Sequence, residues 1–486
     1  MNNTSGTSSI FLVSFLVYIM AMIALGWWVS RKKTTGEDFL LGGRSLPFFL
    51  TMGTTVATMV GTGSSMGAVG FGYANGWAGA LYGVGGSLGI LILAFVFAPV
   101  RKFKFMTVSE ELSYYVGANK AVKNITGVLM FVASVGWLGA HIMGGGMYLA
   151  WMANIDLQYA KIIVALGFAV YVVIGGYTAV VWTDTIQAII LFIGFIAVAA
   201  VAVNYIGGIN HIYDAMPVGA TKLFGIPQLG LIPAISLAAA ILIGVIATPS
   251  YRQRIYSAAS VSIVRRSFIW SGLLYLGFSC IPALIGMAAH TLNPNLANPS
   301  FAFPFLITEV LPLGWGLVIL IAGLSATLSS ASSDAIAGVS ILMRDVFSII
   351  TGKMPKATSI LFFSRISIIG VITLACIFAL ISNDIIGYIT KMISLVMAGV
   401  AVCGLLGSFW LRFNWQGAIA AMLAGATMSL IVMNSVSLTK YWGNPTLPAF
   451  GGALLMGIVV SLITPKSLVT REQALAILDA ERAQME

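Results

Sequence analysis

The amino-acid sequence predicts an all-α polytopic membrane protein, and three observations carry that prediction. Of 486 residues, 59% are hydrophobic and 8% charged, and the charges fall between long apolar runs rather than within them. The runs are about 20 residues long and apolar on all sides, the length a helix needs to cross a bilayer. A barrel would instead show many segments of about 10 residues with alternating polarity. Lipid leaves only helices and closed barrels able to satisfy every backbone amide, so helices remain.

Thirteen spans are expected, at roughly 10–30, 48–68, 77–100, 125–151, 162–181, 184–205, 231–250, 268–289, 313–340, 360–381, 385–412, 417–436 and 448–464. The first has no proline, no Lys or Arg before it, and Arg31, Lys32 and Lys33 directly after it. It reads as an uncleaved helix with its N-terminus outside, not as a signal peptide. The second, FFLTMGTTVATMVGTGSSMG from Phe48 to Gly67, is rich in Gly and Thr. That composition suits a helix that unwinds halfway and frees carbonyls for a ligand, and equally a helix using small residues for close packing. The third carries Gly85-Gly86-Ser87-Leu88-Gly89, a G-x-x-x-G read as a packing face. The seventh ends in Thr248-Pro249-Ser250-Tyr251, a break signal. The tail segment TREQALAILDAERAQ reads as an amphipathic cap.

Loop charge tests the orientation independently. With the N-terminus outside, 20 of 25 Lys and Arg fall on inner segments, among them Arg101, Lys102, Lys104, Arg252, Arg254, Arg265 and Arg266. Outer segments hold Lys161, Lys222 and Lys440, while Arg365 and Lys391 lie within spans. The positive-inside rule therefore puts the N-terminus outside and the C-terminus in the cytoplasm. The net charge of +10 is a topological signal, and no domain gathers it for a nucleic acid.

Enzyme chemistry finds no support. Gly63-Ser64-Ser65-Met66-Gly67 matches G-x-S-x-G, but that elbow belongs to a strand-turn-helix setting with a His partner. Cys280, Cys376 and Cys403 all sit in expected spans, with no disulfide or metal spacing.

The densest polar signal lies in Ile321 to Phe347, IAGLSATLSSASSDAIAGVSILMRDVF, a membrane-length stretch holding a hydroxyl cluster and the carboxylate Asp334. Bilayer interiors penalise such groups, so they mark function. On a helix, Ala326, Ser329 and Ser330 fall at i, i+3 and i+4 and share a face. One carbonyl and two hydroxyls without formal charge suit a Na⁺ that must be released again. The plainer alternative is hydroxyls bonding back to carbonyls of their own helix.

In chain order the sequence carries Leu41-Gly42-Gly43-Arg44-Ser45, the Gly/Thr-rich span, GGYTAVVWTDTIQ from Gly175 to Gln187, and the SSASSD cluster. With these motifs the chain resembles the sodium:solute symporter family, which includes proline, pantothenate, sialic acid, sugar and choline carriers. The resemblance runs from about residue 10 to about 440. It implies a LeuT-like core of two five-helix inverted repeats, 48–205 and 231–412, within 48–412. An accessory helix and inner loop (1–47) precede the core, accessory helices (413–464) follow it, and a cytoplasmic tail (465–486) ends the chain.

The resemblance also implies a Na⁺ site made by the carbonyls of Ala57, Val60 and Ala326 and the hydroxyls of Ser329 and Ser330. Asp184, expected at a helix start, has two compatible readings, a helix cap and a group that attracts departing Na⁺. Asp334, one turn inward from Ser330, is a second ion-path candidate, although many family members carry the acid where this chain has Ser332. Met59 is a further departure, standing where proline carriers have an acid. The solute cavity is expected among Thr58, Gly61, Thr62 and Gly63, Trp137 and His141, and Thr248, Ser250 and Tyr251. Only Trp137 matches the aromatic cage that choline carriers use. A Trp packed between helices and a satisfied core His are the bland readings of Trp137 and His141.

The function implied is Na⁺-coupled symport of a small organic solute, an amino acid, carboxylate or vitamin, or sugar-like molecule, by alternating access across the plasma (inner) membrane. A proton-coupled or uncoupled carrier is the alternative on the same scaffold. A channel would line its path with polar residues throughout, and a membrane sensor would add a signalling domain. The partners implied are the solute, the sodium ion and the lipid bilayer, with no obligatory protein partner and no nucleic acid.

Overall fold

The computed structural model describes residues 5–30, 36–352 and 360–483. Arg31, Lys32 and Lys33 lie outside the described residues. Within them every regular element is a helix, and the one strand-like pairing is an isolated bridge between Leu46 and Ala258. Among the described residues ten helices are long and apolar enough to cross a membrane, and an eleventh arises if Leu231–Ala247 and Pro249–Ser257, bent by 44° at Thr248, count as one.

Several of the thirteen expected spans are not simple rods. The helix Phe48–Met59 stops at Val60, whose φ of −89° and ψ of 50° turn the chain out of the helical path. A π-turn at Gly63–Gly67 and the helix Ala68–Asn75 then complete the crossing. The unwound reading of this Gly/Thr-rich stretch therefore holds over the packed-rod reading. The second departure is in Leu157–Ile206, which breaks at Gly176 with φ 61° and ψ −173°, a conformation natural to glycine alone. A Cβ there would also strike the Phe39 ring, at 2.6 Å. The division expected between residues 181 and 184 thus lies at Gly176.

Close approach explains the G-x-x-x-G motif. A Cβ on Gly85 would run into the backbone of Ala238, and one on Gly89 would lie 2.8 Å from Val245, so helices Ala80–Ile92 and Leu231–Ala247 touch through these glycines. The first helix, Ser5–Ser30, buries Phe11, Phe15, Tyr18 and Met22 and turns Val13, Leu16, Val17 and Met20 outward. Tyr18 Oη pairs with Ser325 Oγ at 2.8 Å and accepts from Gln187 Nε2 at 2.7 Å, which gives the Gln of the WTDTIQ motif its place.

The bend at Thr248 has a larger effect. It returns Pro249–Ser257 into the bundle, so Arg252 and Arg254, expected as inner-segment charges, are 2% and 0% exposed. Arg252 Nη1 meets Glu111 of the short helix Val108–Tyr115 at 2.7 Å, and Tyr256 and Tyr115 hydroxyls donate to the same carboxylate at 2.6 and 3.0 Å. The tail helix Arg471–Ala483 caps this side, burying Ala474 and Leu478 and pairing Arg482 with Glu110 at 3.2 Å and Glu481 with Lys123 at 2.7 Å.

Candidate functional site

Where Phe48–Met59 ends, it lies against the hydroxyl face of Leu313–Ile341. Ser329 Oγ is 3.1 Å from the Ala57 carbonyl and 3.3 Å from that of Ala326; Ser330 Oγ is 3.4 Å from Ala57 O and 3.1 Å from Thr58 O. All four of Ala57, Ala326, Ser329 and Ser330 are fully buried. The hydroxyls do bond within their own helix, as the plainer reading held, but they also cross to the broken one. Val60, the fifth expected ligand, is the residue at which the helix ends, and a ψ of 50° turns its carbonyl off the helical direction. Gly61 is pressed between the two partners: a Cβ on it would collide with Ser330 Oγ and come within 3.1 Å of His141 Cε1. This donor set is neutral and oxygen-only, the type that binds a monovalent cation weakly; carboxylate cages are the habit of Ca²⁺.

Beside this cluster lies a second, charged one. Asp184 is not a helix cap, because the helix begins eight residues earlier, at Gly176. Its Oδ2 accepts from Thr54 at 2.6 Å and Ser333 at 3.0 Å and faces Arg254 Nη2 at 3.3 Å, with both charged residues fully buried. Arg254 Nη2 also reaches Ser333 at 2.6 Å and Thr54 at 2.8 Å and donates to Thr58 Oγ1. Thr58 thus joins the two clusters, its carbonyl toward Ser330 and its hydroxyl toward Arg254. Arg254, Ser333 and Thr54 escaped the sequence reading. The available signal was Asp184 itself, since a membrane carboxylate needs a partner and Arg254 follows a Pro break.

The expected solute residues largely converge. Thr58, Gly61 and Gly63, Trp137 and His141, and Thr248, Ser250 and Tyr251 line one cavity of about 30 Å³, room for a water or two. Met59, Tyr82, Tyr275 and Asp334 join them. Thr62 does not: it packs against Gly144 and meets His141 Nδ1 through its hydroxyl at 3.0 Å. His141 Nε2 meets Asp334 Oδ2 at 3.1 Å, so Asp334 is tied to the cavity wall. A carboxylate only accepts, which puts the proton of this contact on Nε2. Trp137 lies nearly parallel to His141, with 17° between the planes and ring centroids 6.4 Å apart. His141 is therefore both a hydrogen-bonded core residue and a lining one.

Comparison with known proteins follows this geometry. Residues 39–425 match the model of the sodium:solute symporter family. The chain is 27% identical to the sodium/glucose cotransporter of Vibrio parahaemolyticus, over 89% of this chain and 86% of that one. It is 25% identical to the osmoregulated proline transporter OpuE of Bacillus subtilis, over 94% and 95%. Among solved structures, a Na⁺-coupled sialic acid symporter in a substrate-bound outward-open state superposes with a TM-score of 0.82 at 20% identity, covering 95% of this chain and 99% of that one. The nucleobase-cation symporter Mhp1 superposes with a TM-score of 0.60 at 12% identity, over 90% and 98%. The chain belongs to the sodium:solute symporter family and has the LeuT-like fold. It is a multi-pass membrane protein, and Na⁺ is the coupling ion.

Proposed function

We propose that this chain carries a small organic solute together with Na⁺ by alternating access, with Na⁺ held by Ala57, Val60 and Ala326 carbonyls and by the Ser329 and Ser330 hydroxyls. The observation that carries this reading is the pair of hydroxyls set within 3.1–3.4 Å of the Ala57 and Thr58 carbonyls across the helix break. The solute cavity adjoins that break through Thr58 and Gly61. An ion at the break therefore stabilises the backbone geometry that shapes the solute site, which is the linkage symport needs. One charge gains about 2.3 kcal/mol per 100 mV and a tenfold gradient about 1.4 kcal/mol. Together they support roughly 500-fold accumulation per Na⁺.

The core would comprise repeats at 48–205 and 231–412. The N-terminus would lie outside, as the loop charges indicate. Cysteines at exposed Asn295 and Lys466, in a variant lacking Cys280, Cys376 and Cys403, should label from outside and inside respectively. The main test is uptake into proteoliposomes across a Na⁺ titration. Ser329→Ala/Ser330→Ala is expected to raise the Na⁺ half-saturation at least about tenfold, equivalent to ~1.4 kcal/mol. An unchanged half-saturation rejects the assigned ion site.

A further inference from the structure

The cavity carries four polar atoms that nothing in the protein satisfies. Trp137 Nε1, Ser250 Oγ, Tyr275 Oη and Asp334 Oδ1 are buried without a hydrogen-bond partner, and all four residues line the same space. Their residues are 8%, 0%, 1% and 2% exposed, which keeps bulk water from serving them. Buried polar atoms left unpaired are costly, and a ligand with complementary groups removes that cost.

Their chemistry restricts the ligand. An indole N–H only donates, a serine hydroxyl does both, and a carboxylate only accepts. His141 holds Asp334 by Oδ2 and is itself held by Thr62, so Oδ1 is the oxygen left over. No Lys or Arg lines the cavity. Arg254 lies behind Thr58, but its Nη1 is on the Ser250 carbonyl and its Nη2 on Asp184, Thr54, Thr58 and Ser333. An anionic solute would therefore face Asp334 with no lining side-chain cation to offset the repulsion. The rings of Trp137, Tyr82, Tyr251 and Tyr275 supply apolar walls.

Resting on the carrier reading above, we infer that the solute enters with a hydrogen-bond-donor head, hydroxyl or ammonium, against Asp334 Oδ1, that it bears no net negative charge, and that Asp334 sets this preference. Of the solute classes the sequence leaves open, this favours sugar-like molecules and amino acids over carboxylates and vitamin-like acids.

The test measures thermal unfolding of the wild type and Asp334→Asn, in Na⁺ and in K⁺. The probes are glucose and myo-inositol as hydroxyl heads, proline and glycinamide as ammonium heads, and lactate and pyruvate as net anions. At least one donor-headed compound is expected to stabilise the wild type and neither anion to do so. Asp334→Asn keeps the shape and an acceptor for His141, and a retained Na⁺-induced shift shows that it folds. It is expected to weaken an ammonium compound by about 100-fold, since a charge-assisted contact is lost. A hydroxyl compound weakens by roughly tenfold, because with the amide oxygen kept on His141 a hydroxyl can still turn to accept from the amide NH2, which an ammonium cannot do. The size of the loss thus tells the two heads apart. Stabilisation by lactate or pyruvate, no stabilisation by any donor-headed compound, or equal affinity in Asp334→Asn overturns the inference. The cation arm reads the carrier proposal separately: a donor-headed compound bound equally in Na⁺ and K⁺ removes Na⁺ coupling and leaves the head-group assignment standing, and lactate bound only in Na⁺ does the reverse.

Discussion

At the break after Met59 the chain presents carbonyls and hydroxyls, whereas the turn that follows the break at Thr248 carries Arg252 and Arg254, each buried on a carboxylate. Both breaks line the same cavity, through Thr58 and Gly61 on one side and Ser250 and Tyr251 on the other. The first has no countercharge of its own, so a cation held there binds weakly and leaves. In the second, the cation is covalently part of the chain, and Asp184 is already neutralised. The difference separates the exchangeable cation proposed at the first break from the fixed cations that fasten the second into the bundle.

The largest expected effect tests the fixed cation. Arg254→Gln leaves Asp184 buried without a countercharge, which costs about 3–5 kcal/mol. A matching fall in unfolding midpoint is expected, partly recovered when Asp184→Asn is added. A single variant as stable as the wild type would erase the contrast between the breaks.

Gly61→Ala acts on the exchangeable side. Its Cβ displaces Ser330 from the Ala57 and Thr58 carbonyls, and Na⁺ affinity is expected to fall roughly tenfold, ~1.4 kcal/mol. Isothermal titration with Na⁺ reads this directly. Trp137→Ala is smaller and opposite in selectivity, because Trp137 touches no proposed ion ligand. Solute affinity should drop about fivefold, from the loss of one aromatic wall worth ~1 kcal/mol, while the Na⁺ half-saturation stays put. Equal losses in both would mean that the two sites are not separate.

The smallest effect concerns the tail. Burial raises the Glu110 carboxyl, but Arg482, Arg344, Lys123 and the Met106 amide outweigh it and hold the group below its usual range. A lowered folded value means that the contact contributes fully above the ordinary carboxylate value and is lost as pH falls through the lowered one. The protection of Arg471–Ala483 against hydrogen exchange, taken relative to the intrinsic amide rate at each pH, should therefore fall in acid and remain flat around neutral pH. Glu110→Gln should remove the acid dependence.

What the sequence made legible was what is local. Ala326, Ser329 and Ser330 share a face because helical spacing alone puts them there, while the Gly/Thr content of 48–67 fitted unwinding and close packing equally. Family resemblance added Ala57 and the lining positions at Trp137 and Thr248 to Tyr251. Contacts between distant segments stayed hidden: Asp184 and Arg254 are 70 residues apart, and His141 and Asp334 are 193 apart. Arg254 looked like a loop charge because nothing local shows that the bend at Thr248 turns its helix inward. Thr62 misled for a related reason, since in an unwound stretch no fixed periodicity says which way a side chain points. Phe48–Met59 and Leu157–Val173 are shorter than the ten helices long and apolar enough to cross by themselves among the described residues, although the sequence places both within expected spans.

Binding of radiolabelled Na⁺ to purified protein, wild type against Ser329→Ala/Ser330→Ala, tests the central claim most directly. The account predicts saturable binding in the wild type that tightens when transported solute is added, and its loss in the double variant with the unfolding midpoint kept. Saturable Na⁺ binding of undiminished affinity in the double variant would contradict it.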